Sequence, residues 1–185
     1  MSLEQSSIFM TGGSKGFSRL LWDCLPRQKK SFCRATGYDL KRDEDIVKMA
    51  QESLNCDIFI NYTHVDFQQT ELLYQVFANW KQKGKKGLIV NIGSFATYEV
   101  KPEVKLWVAS KYSLDVANQQ CCKEAIGEKL PFRVCLLKLG FLSAPENQDK
   151  PHWDGRGHSP EQIIEALQLV FQSSQAIDEI VIRPS

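Results

Sequence analysis

Net charge is nearly absent from this chain: 23 Lys and Arg face 22 Asp and Glu, a formal +1 over 185 residues. With no global field to recruit them, nucleic acid and anionic membrane surfaces are not expected partners. The basic cluster from Lys81 to Lys86 reads as a solvated loop. No apolar run approaches the length needed to cross a bilayer, so no membrane span is expected. There is also no internal repeat, low-complexity tract or linker-like stretch.

Histidine is scarce, and His64, His152 and His158 have no ligand spacing, which argues against a metal site. The six cysteines include no C-x-x-C pair, and no signal-peptide pattern precedes them. A reducing cytoplasm is therefore expected rather than a disulfide scaffold. The cysteines fall mostly in apolar surroundings, where a free thiol behaves as a small core hydrophobe. A nucleophile elbow is missing too, because Ile92 and Ala96 hold the outer positions around Ser94, so a serine hydrolase is unexpected.

What is present is an ordinary soluble composition, 43% hydrophobic and 24% charged, enough for one domain spanning residues 1–185. The apolar run Ser7-Ile8-Phe9-Met10 breaks into Thr11-Gly12-Gly13-Ser14-Lys15-Gly16-Phe17-Ser18, followed by an apolar-periodic helix closed at Pro26. Strand, glycine turn and helix in that order form a phosphate-binding layout: glycines admit the pyrophosphate and free amides at the helix start bind its charge. Ser31–Ala35, Cys56–Asn61, Leu88–Ile92, Phe132–Leu137 and Glu179–Ile182 read as further strands, the last ended by Pro184. Helices are expected from Asp43, over Glu71–Lys81, over Val104–Glu124, and from the capping sequence Ser159-Pro160-Glu161-Gln162. The alternation implies an α/β, Rossmann-type, doubly wound parallel sheet. Asn147–His158 reads as an irregular, mobile loop.

The stretch from Leu88 to Lys111 carries the chemistry. Ser94 ends a buried strand, at the carboxyl edge where open α/β sheets bind ligands. Trp107 and Lys111 stand four apart in a helical stretch, hence on one face, so Ser94, Trp107 and Lys111 are expected to converge.

Taken together these pieces resemble the short-chain dehydrogenase/reductase family over nearly the whole chain. Thr11-Gly12-x-x-x-Gly16 is similar to its nucleotide-binding turn, Asp39-Leu40 to its adenine-side pair, and Asn61 to the start of its Asn-Asn-Ala-Gly strand end. Asn91-Ile92-Gly93-Ser94 resembles the strand of the catalytic serine, Trp107-x-x-Ser110-Lys111 its Tyr-x-x-Ser-Lys, and Leu139-Gly140 its Pro-Gly. The resemblance implies a carbonyl or alcohol substrate and NADP, with NAD as an alternative. Thr11, Gly12, Ser14, Lys15, Gly16, Phe17, Arg34, Asp39, Leu40, Asn61, Lys111 and Gly140 would hold the cofactor. Arg34 stands where members preferring NADP carry a cation for the 2′-phosphate.

The departures from the family set the functional question. Its proton-donating tyrosine is Trp107 here, and an indole N–H donates a hydrogen bond without an accessible pKa. Tyr98 is the nearest substitute donor, and Gln68 the nearest stand-in for the relay asparagine. Ser18 replaces a third glycine, which is expected to loosen the helix on its strand, and an edge strand is expected to be vestigial. Three readings stay open: an oxidoreductase with an impaired relay, a non-catalytic dinucleotide sensor, and a structural subunit. A homodimer or homotetramer is expected through the Glu71–Lys81 and Val104–Glu124 helices, with Leu106, Leu114, Cys121 and Cys122 as apolar surface.

Overall fold

A computed structural model describes residues 3–98, 105–149, 153 and 155–183. His152, Pro184 and the expected helix start at Val104 lie outside the described residues. Six strands form one parallel sheet: β1 (Ile8–Thr11), β2 (Lys29–Phe32), β3 (Ile58–Asn61), β4 (Gly87–Ser94), β5 (Phe132–Leu139) and β6 (Glu179–Ile182), in the order β2-β1-β3-β4-β5-β6. Helices α1 (Gly16–Cys24), α2 (Asp43–Glu52), α3 (Gln68–Lys83), α4 (Lys105–Gly127), α5 (Pro145–Gln148) and α6 (Pro160–Gln172) connect them.

Both faces of the sheet are covered because its central strands are apolar on both sides. In β3, Phe59 faces a core built with Leu72, Trp80, Leu114 and Cys121 of α3 and α4. Its neighbours Ile58 and Ile60 face the opposite core with Leu21 of α1 and Ile163 and Leu167 of α6. The strand order reverses between β1 and β3, and such a switch point opens a crevice at the carboxyl ends of the strands. Among the described residues no helix is long and apolar enough to cross a membrane.

Several local expectations need correction. β2 lies two residues earlier than expected, and Arg34–Thr36 form a 3-10 turn closed by Gly37 at φ 87°. Short β2, paired to β1 alone, is the sheet edge on that side. Helix α3 begins at Gln68 rather than Glu71. The start of the supposed loop is helix α5, and the loop is anchored at both ends: Asn147 Nδ2 donates to the Leu142 carbonyl at 2.8 Å, and buried His158 contacts the Ile182 carbonyl at 3.0 Å. Leu114, Cys121 and Cys122 belong to the core, so of the expected apolar surface only Leu106 is exposed, joined by Tyr112, Val116 and Ile126. Burial pushes the Cys121 thiol up to about 12, the state of a packing group rather than a reactive one. The Ser159 capping box on α6 forms as expected.

Candidate active site

The β1–α1 turn forms one wall of the crevice. Gly12, Gly13 and Gly16 adopt φ of 94°, 96° and 56°, a left-handed path that side chains oppose and glycine takes without strain. Ser18 fastens the turn: its hydroxyl donates to the Lys15 carbonyl at 2.7 Å and accepts the Gly13 N–H at 3.1 Å. Thr11 is fully buried, and its Oγ1 accepts the N–H groups of Tyr62 and Thr63, each at 2.9 Å. It ties β1 to β3 across the switch point. Ser14 and Lys15 are exposed at the turn; Phe17 has a buried ring, but its backbone N–H opens α1.

That N–H is taken. Glu146 of α5 accepts it at 2.9 Å, so a carboxylate from the far part of the chain sits on the start of α1. Nothing near the turn signals this residue, and sequence reasoning missed it.

Beside the turn lies an open cavity of about 480 Å³, walled by Gly13, Ser14, Arg19, Lys30, Cys33 and Tyr38 among others. Arg34 stands outside that wall and lines a second hollow with Asp39, to which its Nε donates at 2.8 Å. The Lys41 amide, and after it the Arg34 guanidinium, holds the Asp39 carboxyl below its usual range. Leu40, next to Asp39, is a buried side chain in the cluster with Phe32 and Ile46.

The second wall is a buried ladder of amides. Asn61, fully buried at the end of β3, gives its Nδ2 to the Gln69 carbonyl at 2.8 Å and to Asn91 Oδ1 at 3.0 Å. Gln69 returns its own amide to the Asn61 carbonyl at 2.7 Å and also reaches the Ile92 carbonyl at 3.2 Å. Lys111 closes the ladder: Nζ donates to Gln69 Oε1 at 2.8 Å and to the Ile92 carbonyl at 3.1 Å. The partner of Lys111 on α3 is thus Gln69, the residue after Gln68. Burial lowers the Lys111 pKa to about 7, with Asp115 one turn on opposing the shift.

Ser94, the last residue of β4, lies two positions beyond Ile92, and its Oγ accepts the Ala96 N–H at 3.2 Å. Trp107, one helical turn before Lys111, is 36% exposed. The histidine set aside from sequence lies beside it: the His64 ring meets the Trp107 ring edge at 6.1 Å, and Nε2 is 2.7 Å from Ser110 Oγ. Burial, and then the Lys111 charge, depresses His64 to about 4, so it is neutral near pH 7. Tyr98 does not join this group. It is 52% exposed, donates its hydroxyl to Glu179, and packs its ring against Lys138 Nζ at 4.3 Å. Glu179 pairs with Leu136 while Ser94 pairs with Leu139, so the phenol is held three residues down the sheet from Ser94. Gly140 follows β5 at the same carboxyl edge as Ser94.

No protein-family model matches the sequence, and no curated protein is similar to it by sequence. Solved structures are similar to it in fold. A short-chain dehydrogenase of Burkholderia cenocepacia in complex with NADP superposes with a TM-score of 0.77 at 15% identity, covering 99% of this chain and 90% of that one. The fold is that of the short-chain dehydrogenases. A metagenomic short-chain oxidoreductase in complex with NADP gives a TM-score of 0.71 at 16% identity over 100% of both chains. The 3-ketoacyl-(acyl-carrier-protein) reductase of Brucella melitensis, complexed with NADH, gives 0.72 at 16% identity over 98% of each chain. The short-chain dehydrogenase architecture therefore extends over the full sheet described above.

Proposed function

We propose that this chain is a single-domain, NADP(H)-binding oxidoreductase of the short-chain dehydrogenase type, acting on a carbonyl or alcohol with an impaired proton relay. The observation that carries the proposal is the glycine turn meeting a helix start at the switch point, with Lys111 buried one strand-end away. The residues suit the cofactor in kind: three left-handed glycines keep side chains off the turn, the helix amide already holds one anionic group, the Glu146 carboxylate, and the adjoining cavity of about 480 Å³ has basic residues in its wall. Similar folds carry NADP or NADH, which supports NADP with NAD as an alternative.

The nicotinamide supplies hydride when bound. Gly12, Ser14, Lys15, Gly16 and the Phe17 amide hold the phosphates in this reading, with Arg34 and Asp39 on the adenosine side. Asn61 and Gly140 shape the nicotinamide side. Lys111 holds the ribose, and Ser94 Oγ–H donates to the substrate carbonyl. Trp107 orients the substrate but passes no proton, and with Tyr98 tied to Glu179 the oxyanion lacks a phenol donor. Positioned acid–base groups contribute roughly 10²–10⁴-fold in rate, so turnover is expected to be slow. Six unpaired cysteines suit a reducing cytoplasm, and exposed Leu106, Tyr112, Val116 and Ile126 on α4 suit a homodimer or homotetramer. Light scattering giving a monomer at micromolar concentration would remove the oligomer.

Titration of the purified protein with NADPH and with NADH is the test. Saturable binding with slow NADPH oxidation on a panel of aldehydes, ketones and quinones is the expected result. Binding without turnover would favour a non-catalytic nucleotide module, and no binding of either dinucleotide would overturn the reading.

A further inference from the structure

Helix α1 has no cap of its own. Lys15 occupies its N-cap position in extended backbone and offers no side-chain acceptor, so the first amides of α1 depend on a group from elsewhere. That group is Glu146. Its Oε1 takes the Phe17 N–H at 2.9 Å across a sequence separation of 129 residues. It also fills the space a side chain would need at Gly16, where an added Cβ would overlap the same oxygen. The carboxylate therefore sits both on the helix start and against the glycine that keeps the turn open.

We propose that Glu146 is an acidic latch that must leave before the diphosphate of a dinucleotide can settle, making the resting protein self-competing. The inference rests on the dinucleotide reading above and adds to it a built-in competitor. A carboxylate and a phosphate oxygen want the same thing at a helix start, the exposed N–H and the positive end of the dipole. Two anions cannot share that amide without repulsion. The latch is displaceable: Glu146 is exposed, and its carrier α5 has only four residues. The carrier is nevertheless held in place, because Ser143 N–H donates to the His158 carbonyl at 2.9 Å and Leu142 bridges His158. While the carboxylate holds that amide the site is closed, so apparent affinity is the intrinsic affinity scaled by the fraction of molecules in which the latch is open.

The test is isothermal titration of the full chain with NADPH and, separately, with inorganic pyrophosphate, for wild type, Glu146→Gln and Glu146→Ala. The Gln variant keeps an acceptor for the Phe17 amide without the charge, and the Ala variant removes both. Both variants are expected to bind NADPH and pyrophosphate more tightly than wild type, by roughly tenfold, the scale of one charge-assisted hydrogen bond released. Wild type and variants binding NADPH equally, or the variants binding it less well, would overturn the latch and leave the dinucleotide reading standing. Tighter pyrophosphate binding in the variants, with no NADPH binding by any form, would uphold the latch and overturn the dinucleotide reading. No binding of either probe by any form would overturn both.

Discussion

Lys111 Nζ donates to Gln69 Oε1 at 2.8 Å, so two helices hold one buried cation between them. Gln69→Leu leaves that cation with the Ile92 carbonyl as its remaining acceptor in the ladder, and is expected to cost about 1–3 kcal/mol in urea unfolding. The pH dependence follows from the lysine. Its folded pKa of about 7 lies below its ordinary 10.5, so between those values the unfolded chain binds the extra proton. Stability is therefore expected to rise as pH increases from about 7 to about 10.5, and to be lost as pH falls back through that window. Gln69→Glu places a carboxylate at Nζ, raises the lysine pKa and flattens the slope. An unchanged slope in that variant would show that Lys111 is not its source.

His64 gives a second pH window on the acid side. Burial holds its folded pKa near 4, below its ordinary 6.5, so protonation favours the unfolded chain. The unfolding midpoint should fall as pH drops from about 6.5 to about 4, less steeply in His64→Gln. Identical slopes in the two proteins would place the acid sensitivity elsewhere, with His158 the next buried imidazole to test.

Trp107→Tyr should create or raise carbonyl reductase activity. The new phenol stands one helical turn from Lys111, which lowers the phenol pKa while it carries its own proton, and that protonated fraction falls as pH rises through about 7. The gain belongs in kcat, since proton transfer is a transition-state event, and should not exceed the roughly 10²–10⁴-fold of positioned acid–base catalysis. The assay is NADPH oxidation by wild type, Trp107→Tyr and Trp107→Tyr/Ser94→Ala, the double variant losing the gain. Wild-type turnover exceeding that of Trp107→Tyr would mean that the proton takes another route.

Arg34 is the expected reader of a 2′-phosphate, although its Nε is already given to Asp39. Arg34→Ala should lower the preference for NADPH over NADH by about ten- to a hundredfold, the worth of a charge-assisted contact. Asp39→Ala, which frees the guanidinium from its support, should lower it less. An unchanged ratio of dissociation constants in Arg34→Ala would pass the role to the basic wall of the neighbouring cavity, where Arg19 and Lys30 lie.

The fold was legible because its signals are local and repeat. Apolar runs such as Ile58–Ile60 and Leu88–Ile92 can be buried only between two helical layers, and the capping sequence at Ser159 marks its helix directly. The placement of Ser94 at a strand end and of Lys111 within a helix is legible from the apolar run and the helical spacing. Helix face was harder: α3 begins three residues before the expected Glu71, and nothing local marks its Gln69 as the partner of Lys111. On α4, apolar residues occur on both faces, so Leu114 and Cys121 look no different in sequence from exposed Val116 and Ile126. Glu146 could not be read at all, since capping patterns reach three residues and this cap reaches 129.

The distance of that cap along the chain has a consequence for how the protein is made. A ribosome adds about 5–20 residues per second, so the glycine turn and the start of α1 exist for roughly ten seconds before Glu146 is joined to the chain. During synthesis the start of α1 stands without its carboxylate, and it can acquire that cap only after β1 to β5 have all been made.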